Sequence, residues 1–215
     1  MKVFSKRKNG RERAVYFFGC RILSYRTRPV SHSCVAHGKG NRLPASVPKS
    51  LKVTVWGDDN VLECAEDMIF AGRIRIGTRD CPVRNCRVVI GAGTTAEACD
   101  ILLLESGSEV LIGEDCLISE GVRIWCSDTH ALLSSETGEV TNRGRRIVIG
   151  RHCWLGLGAS VLKNVELPEG TVVGMHAVVA GERELAPKCA LAGNPARVVK
   201  ENVVWDRRRP EECPQ

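Results

Sequence analysis

An aliphatic residue returns at every sixth position along the stretch from residue 149 to residue 195. The recurring residues are Ile149, Leu155, Val161, Leu167, Val173, Val179, Leu185 and Leu191. An amphipathic helix would place apolar residues every three or four positions and a half-buried strand would alternate them, so neither explains a period of six. Hexapeptide periodicity is typical of a parallel β-helix, in which three hexads, about 18 residues, close one triangular coil. We therefore expect an all-β protein whose aliphatic positions point inward and stack from coil to coil. Residues 181–188 are the exception and should form a looped excursion, because Arg183 falls where a small inward residue belongs.

The register of the hexads is interrupted once. Ile124 ends one strictly spaced run, and Ile149 begins the next. The residues between them are rich in polar turn formers, unlike the walls on either side. We predict a loop of residues 130–148 that is extruded from a β-helix domain of residues 59–198. Long loops inserted into a rigid repeat are common sites of function.

Charge divides the chain unevenly. Residues 1–52 carry thirteen lysines and arginines but a single acid, Glu12, although the whole chain has a net charge of only +6. We expect residues 1–58 to form a basic N-terminal arm and cap, and residues 199–215 to form a C-terminal tail. The arm either is solvated and caps the coils or contacts an anionic membrane surface or acidic glycan. It lacks the interleaved aromatic residues of a single-strand binder, so no nucleic-acid partner is expected.

The cysteine pattern favours burial over disulfide or metal chemistry. Eleven cysteines are present, an odd number, and none form a C-x-x-C pair. Cys116, Cys153 and Cys189 fall at small inward positions of hexads, where cysteine behaves as a small hydrophobe. The apolar run of residues 14–20 is too short for a secretory signal and lacks a cleavage pattern. The sequence therefore predicts a cytoplasmic protein with one main domain.

The residue that opens the loop is a histidine. His130 follows Ser127, Asp128 and Thr129 where the coil ends. Histidine can accept and return a proton near neutral pH, and Asp128 or Glu136 could orient its ring. A zinc site would need a close histidine pair and a third ligand, and no second histidine lies near His130 in the sequence. We expect a catalytic base and no metal.

Three segments resemble the hexapeptide-repeat acyltransferases. They are Cys-Ser-Asp-Thr-His at residues 126–130, Ile-Gly-Arg-His-Cys-Trp-Leu-Gly at 149–156, and Ala-Gly-Asn-Pro-Ala-Arg-Val-Val-Lys at 192–200. Within that family the chain is most similar to the capsular polysaccharide and sialic acid O-acetyltransferases, which share an ending like Trp205-Asp206-Arg207. The resemblance covers roughly residues 60–208. It implies an acetyl-CoA-dependent transferase, usually a homotrimer with active sites in clefts between subunits. It also implies a left-handed parallel β-helix, an exception to the right-handed crossover rule that periodicity does not indicate.

The resemblance also assigns residues. His130 matches the catalytic base, and Trp154 matches a tryptophan near the acetyl thioester. The positions that would bind the coenzyme are Gly156, Leu157, Gly174, Met175, Ala192, Arg197 and Lys200. From the sequence itself, the arginines of the loop suggest an anionic acceptor such as sialic or uronic acid, with a solvated basic face as the alternative. The candidate acceptor-binding residues are Asn142, Arg143, Arg145 and Arg146.

The expected chemistry explains these residue types. A sugar hydroxyl is a poor nucleophile, so a base must take its proton while it attacks the thioester carbonyl. The oxyanion that forms needs donors, either backbone N–H groups or the indole N–H of Trp154. The sequence thus predicts O-acetylation of a sugar or surface polysaccharide by direct attack. The alternatives are an N-acetyltransferase for a nucleotide amino sugar and a catalytically silent trimeric β-helix that scaffolds or binds glycans.

Overall fold

The chain divides into two compact units, Met1–His32 and Ser33–Gln215. The structure, a computed structural model, describes the backbone of residues 4–9, 12–17 and 20–26 and all of residues 34–213. The first unit contains an antiparallel sheet of β1 (Phe4–Asn9), β2 (Glu12–Phe17) and β3 (Cys20–Arg26). The basic arm therefore includes regular strands. Its predicted capping role depends on side chains that lie outside the described residues.

The second unit consists of short strands that form one twelve-stranded and one five-stranded sheet. The strands are β4 (Cys34–His37), β5 (Leu51–Asp58), β6 (Val61–Cys64), β7 (Ile69–Ile76), β8 (Val83–Arg84), β9 (Arg87–Ile90), β10 (Thr95–Leu103), β11 (Glu109–Ile112), β12 (Leu117–Trp125), β13 (Arg146–Ile149), β14 (Trp154–Leu155), β15 (Ser160–Leu162), β16 (Glu166–Leu167), β17 (Val172–Val173), β18 (Val178–Val179), β19 (Ala190–Gly193) and β20 (Ala196–Lys200). A single 3₁₀ turn, Pro210–Glu212, is the helical element of the described residues. Every strand pair of this unit is parallel except β19 with β20.

The register of these pairs confirms the hexad prediction. Leu155 pairs with Val173 and Val173 with Leu191, so aliphatic residues three hexads apart stack on successive coils. Val161 pairs with Val179 in the same way. These side chains are at most 1% exposed. Burying one such side chain stabilises the fold by roughly 1.5–3 kcal/mol, so stacking between coils holds together strands of only two or three residues.

Each coil has three sides, which we number in chain order. Face 1 contains β14, β17 and β19, face 2 contains β15 and β18, and face 3 contains β6, β9, β11, β13 and β16. The longer strands β7, β10 and β12 bend and contribute to faces 1 and 2. Three edges separate the faces, and several of the residues that the sequence singled out lie at these edges, whereas Trp154 begins β14 on face 1.

The coils begin earlier than the sequence predicted. β4 pairs in parallel with β5, and β5 pairs in parallel with β7, so residues before 59 already belong to the β-helix. Leu51, Val53 and Val55 are buried and alternate with more exposed residues. Their period of two fits one long strand, so the hexad pattern could not reveal that this strand belongs to the coils.

The segment between β12 and β13, residues 126–145, lies at the edge between faces 2 and 3 and is called here the His130 loop. Ile112 pairs with Ile149, and the coil between them contains this segment. The next coil, from Ile149 to its partner Leu167, contains no insertion. The loop contains one isolated antiparallel bridge, between Leu133 and Val140. Nearly all of its side chains between 128 and 143 are exposed.

The cysteines at small inward positions are buried, as predicted. Cys116, Cys153 and Cys189 are at most 1% exposed. The Cys116 thiol lies 3.2 Å from the carbonyl oxygen of Gly150, which belongs to the next coil. These cysteines therefore pack inside the β-helix, and the Cys116 thiol is a weak hydrogen-bond donor there. In the part of the chain that the structure describes, no helix is long and apolar enough to cross a membrane.

Candidate active site

A sharp turn carries His130. Thr129 has a backbone φ of 70°, a left-handed conformation that costs a β-branched residue about 1–3 kcal/mol. The Thr129 N–H donates to Ser127 Oγ at 3.0 Å, and the His130 N–H donates to the Asp128 carbonyl oxygen at 2.8 Å. Such a strained turn persists only where its surroundings hold it.

Asn142 closes the loop behind this turn. Its Nδ2 donates to the His130 carbonyl oxygen at 2.9 Å and to Asp128 Oδ2 at 2.8 Å. Its Oδ1 accepts a hydrogen bond from the Leu132 N–H at 2.8 Å. These hydrogen bonds fix the main chain of His130. The predicted contact of Asn142 with the acceptor stays a prediction.

The Asp128 carboxylate accepts hydrogen bonds from Lys163 Nζ and from Asn142. Burial works to raise the pKa of Asp128, but these hydrogen bonds and the charge of Lys163 outweigh it and lower the pKa. Asp128 and Glu136 were the two candidates for orienting the His130 ring, and the Asp128 carboxylate contacts Lys163 and Asn142. That either residue orients the ring stays a prediction. Within the described residues the His130 imidazole makes no hydrogen bond at all, so both of its nitrogens remain available.

The exposed His130 side chain lies at a cavity of about 200 Å³ that Glu105 and Arg143 also line. Both Glu105 carboxylate oxygens accept from the Gly144 N–H at 3.0 Å, which ties the loop to the previous coil. A Cβ at Gly144 would lie 2.1 Å from the Cys126 carbonyl oxygen, so only glycine fits. Sequence reasoning missed Glu105, Gly144 and Lys163, because their partners are distant along the chain.

The predicted acceptor-binding arginines are divided between two cavities. Arg143 lines the His130 cavity, whereas Arg145 and Arg146 line a separate, open cavity of about 610 Å³. Arg146 is paired with Glu166 at 3.5 Å, so part of its charge is already balanced. Arg143 is therefore the arginine of this set that lies beside His130.

Trp154 lies on a different face from the His130 loop. It begins β14 on face 1, pairs with Leu117 and Val172, and is 38% exposed. His130 follows face 2, and its cavity does not include Trp154. A single chain thus does not bring the two predicted catalytic residues together.

The coenzyme candidates cluster mainly at the edge between faces 1 and 2. Leu157 and Met175 lie there one coil apart and are 42% and 64% exposed. The Gly156 and Gly174 N–H groups donate to carbonyl oxygens of the next coil at 2.7 and 2.8 Å. A Cβ on Gly156 would lie 2.9 Å from the Met175 nitrogen, so this glycine is required by close packing of the coils. Ala192 is half-buried one coil further on.

The two basic coenzyme candidates, Arg197 and Lys200, are exposed on β20. Arg197 Nη1 donates to the Ala196 carbonyl oxygen at 3.0 Å. Among the described residues, no three histidine, cysteine or acidic side chains are grouped as a metal site requires.

A second histidine meets an aspartate at the edge between faces 3 and 1. His152 Nδ1 lies 2.7 Å from Asp115 Oδ2, and its Nε2 lies 3.1 Å from the Trp205 carbonyl oxygen. Both ring nitrogens are occupied, so His152 has no nitrogen free to act as a base on a substrate.

Comparison with known proteins places the chain in a family. No family model matches the chain. The chain is 36% identical over 159 residues to the polysialic acid O-acetyltransferase of Neisseria meningitidis, a match that covers 74% of this chain and 71% of that protein. It is 29% identical over 124 residues to the polysialic acid O-acetyltransferase of Escherichia coli O1:K1 / APEC, covering 58% of this chain and 39% of that protein.

Solved structures agree with the sequence comparison. The crystal structure of the polySia specific acetyltransferase NeuO superposes with a TM-score of 0.73 at 26% identity, covering 85% of this chain and 92% of that one. The polysialic acid O-acetyltransferase OatWY superposes with a TM-score of 0.60 at 26% identity, covering 83% and 93%. The resemblance found in the sequence is thereby confirmed, and the chain belongs to the hexapeptide-repeat acetyltransferases, in the family that includes the polysialic acid O-acetyltransferases.

Proposed function

We propose that this acetyltransferase moves an acetyl group from acetyl-CoA to a hydroxyl of a sialic-acid polymer, with His130 as the general base. One observation carries the proposal. The main chain around His130 is held by Ser127, Asp128 and Asn142, while its imidazole is exposed at a cavity and unbonded among the described residues. A fixed backbone with a free ring is what a general base needs.

The proposed reaction needs no covalent enzyme intermediate. A neutral His130 accepts the proton of the acceptor hydroxyl as its oxygen bonds to the thioester carbonyl carbon. The tetrahedral intermediate then collapses, the carbon–sulfur bond breaks, and the imidazolium returns the proton to the departing coenzyme thiolate. Donors aimed at the transient oxyanion would stabilise it, and the indole N–H of Trp154 is the side-chain candidate.

The exposed residues of face 1 and its neighbouring edge fit acetyl-CoA. Trp154, Leu157 and Met175 present apolar surface that suits a pantetheine arm, and Arg197 and Lys200 are exposed cations that suit phosphate groups. The coenzyme supplies an activated acyl thioester. Because the Gly156 and Gly174 N–H groups are used between coils, we expect side chains and carbonyl oxygens of this edge to make the contacts.

A site that uses both His130 and Trp154 needs two chains, because one chain holds them on different faces. This supports a homotrimer with shared clefts. Two inactive variants, His130→Ala and Trp154→Ala, should regain part of the activity when they are co-expressed, since some clefts then contain both native residues. Solution mass should report a trimer. An active monomer, or co-expressed variants that stay inactive, would refute the shared cleft.

An anionic acceptor is supported by Arg143 beside His130 and by the acceptors named for the two relatives. The left hand of the β-helix, a contact of the basic arm with anionic surfaces and a cytoplasmic location stay predictions.

The decisive assay follows free thiol release from acetyl-CoA with polysialic acid as acceptor. General base catalysis contributes roughly 10²–10⁴, so His130→Ala should lose at least a hundredfold in kcat. His37→Ala is the matched control, because His37 is exposed and stacks on Trp56 at a ring distance of 3.7 Å, in the first strands of the β-helix. Full activity of His130→Ala would rule out the mechanism. A neutral glycan accepting equally well would rule out the anionic acceptor.

A further inference from the structure

After β20 the chain packs against the coils of the β-helix. Residues 203–207, which we call the C-terminal strap, run back along the edge between faces 3 and 1. The Val203 N–H donates to the Lys188 carbonyl oxygen at 2.8 Å, at the last coil. Arg207 reaches Thr95 Oγ1 at 2.9 Å, several coils earlier. The strap thus crosses successive coils, and its central residue, Trp205, is only 7% exposed between exposed neighbours.

Trp205 is fastened to His152 by three contacts. The two rings stack with centroids 4.2 Å apart and an interplanar angle of 12°. Trp205 Nε1 donates to the His152 carbonyl oxygen at 2.6 Å, and the Trp205 carbonyl oxygen faces His152 Nε2 at 3.1 Å. Main chain and side chain of Trp205 are therefore both held by one residue of the coil.

Asp115 and Arg207 hold the Trp205–His152 pair in place. Asp115 Oδ2 faces His152 Nδ1 at 2.7 Å, and Asp115 Oδ1 accepts from Arg207 Nη2 at 3.0 Å. The hydrogen bond from His152, followed by the hydrogen bond and charge of Arg207, lowers the pKa of Asp115 despite some burial. The Asp115 carboxylate and the Trp205 carbonyl oxygen are both acceptors, and each faces one ring nitrogen of His152. Asp115 thereby joins the coil residue to the strap.

The other neighbour of Trp205 is Trp154, whose ring centroid lies 6.2 Å away at a tilt of 45°. Aromatic pairs favour such tilted contacts at this distance. Trp154 otherwise lies on the outer surface of face 1 between Leu117 and Val172, and neither of these aliphatic side chains can hydrogen-bond the indole. Trp205 is thus the rigid aromatic surface against which the Trp154 indole rests.

We propose that Trp205 is a positioning residue for Trp154, held in place by Arg207 and the His152–Asp115 pair. This proposal rests on the proposed function, because it assumes that Trp154 contacts the acyl end of acetyl-CoA. By limiting the orientations of the Trp154 indole, the C-terminal strap fixes the side of the cleft that would bind acetyl-CoA. It leaves the acceptor side, at His130, untouched.

Steady-state kinetics test this division between donor and acceptor. Trp205→Ala should lower kcat/KM for acetyl-CoA about tenfold, while the KM for the acceptor stays unchanged. Trp205→Phe keeps a ring that can stack but loses the N–H, and should lose less. It also serves if Trp205→Ala fails to fold. The matched control is Arg208→Ala just after the strap, since Asp206 is the acid with which Arg208 pairs among the described residues and its loss should leave activity unchanged.

A double-mutant cycle separates positioning from a merely structural role. If Trp205 acts through Trp154, then Trp154→Ala with Trp205→Phe should be no slower with acetyl-CoA than Trp154→Ala alone. Independent losses that multiply would overturn the proposal. So would a Trp205→Ala enzyme with native kcat/KM for acetyl-CoA while Trp154→Ala is impaired.

A readout without activity distinguishes failure of this proposal from failure of the proposed function. In protein labelled with 5-fluorotryptophan, the ¹⁹F resonance of Trp154 should shift and broaden in Trp205→Phe and stay native in Arg208→Ala. An unchanged Trp154 resonance in Trp205→Phe refutes positioning, whatever the enzyme acetylates. A shifted resonance together with a fully active Trp154→Ala enzyme would keep the contact but remove Trp154 from the reaction.

Discussion

Two histidines stand beside aspartates at two edges of the same prism, and they are held in opposite ways. At the His130 loop the main chain is held by Asn142, and the ring makes no hydrogen bond to any residue that the structure describes. At the edge of the C-terminal strap, the His152 ring is bonded through both nitrogens, to Asp115 and to Trp205. A catalytic base needs a ring nitrogen that is available to the substrate, whereas a histidine with a structural role uses both of its ring nitrogens in hydrogen bonds. The first arrangement suits a base and the second suits an anchor.

The two aspartates differ in what their carboxylates contact. Asp128 stands two residues before His130, but its carboxylate is occupied by Lys163 and Asn142. The His–Asp contact that the structure contains joins His152 to Asp115, 37 residues apart in sequence. The coils place residues that are distant in the sequence side by side, so proximity in sequence does not show which residues meet.

Exchanging the two histidines for alanine should separate activity from stability and gives the largest expected effects. His130→Ala should lose at least a hundredfold in kcat and leave the free energy of unfolding within about 0.5 kcal/mol. His152→Ala should lower the free energy of unfolding by about 1–3 kcal/mol, as two hydrogen bonds and the stack on Trp205 are lost, and reduce activity about tenfold or less. Urea titration and thiol release measure both. Equal stability losses in the two variants would contradict the comparison.

A substitution at Gly144 should disturb the fixed backbone of the His130 loop with a smaller effect. Its Cβ would lie 2.1 Å from the Cys126 carbonyl oxygen, so Gly144→Ala must shift the loop and should cost about 1–3 kcal/mol. We expect kcat to fall about tenfold, because His130 moves with the loop. Gly138→Asn is the control in the same loop, since Gly138 faces open space and Asn tolerates its left-handed backbone. Native kcat in Gly144→Ala would show that the loop does not position His130.

The smallest expected effect is the contribution of Asp128 to the free energy of unfolding, which depends on pH. Because Lys163 and Asn142 lower its pKa in the folded protein, the stabilising contribution of Asp128 is complete above the ordinary carboxyl value of about 3.9 and is lost as the pH falls through the lower folded value. Lys163→Met should therefore be less stable than the native protein at pH 7, by under about 1 kcal/mol for this partly exposed pair. The difference should disappear in acid. A difference that persists at pH 2 would assign the effect to lost packing of Lys163.

Much of the fold could be predicted because the hexad pattern is local and repetitive. Val161, Val173 and Leu191 are buried and stacked as their spacing indicated. The start of the coils could not be predicted, since Leu51 and Val53 follow the period of any half-buried strand. Of the site, His130 was identified by its position at the start of the loop and by resemblance, and Trp154 was identified by resemblance. Gly144 had only its small size as a signal, and nothing in the sequence pointed to the contact of Lys163 with Asp128.

The sequence alone determined the period of six, hence a stacked prism, and the position of its one long interruption, at His130. Only the tertiary structure decided which polar groups meet at the edges of that prism. Stacking of coils brings Asp115, His152 and Arg207 together although they are far apart in the chain. It also holds His130 and Trp154 on separate faces. A repeat specifies its inward residues by local spacing, but contacts at its edges depend on which coil each residue reaches.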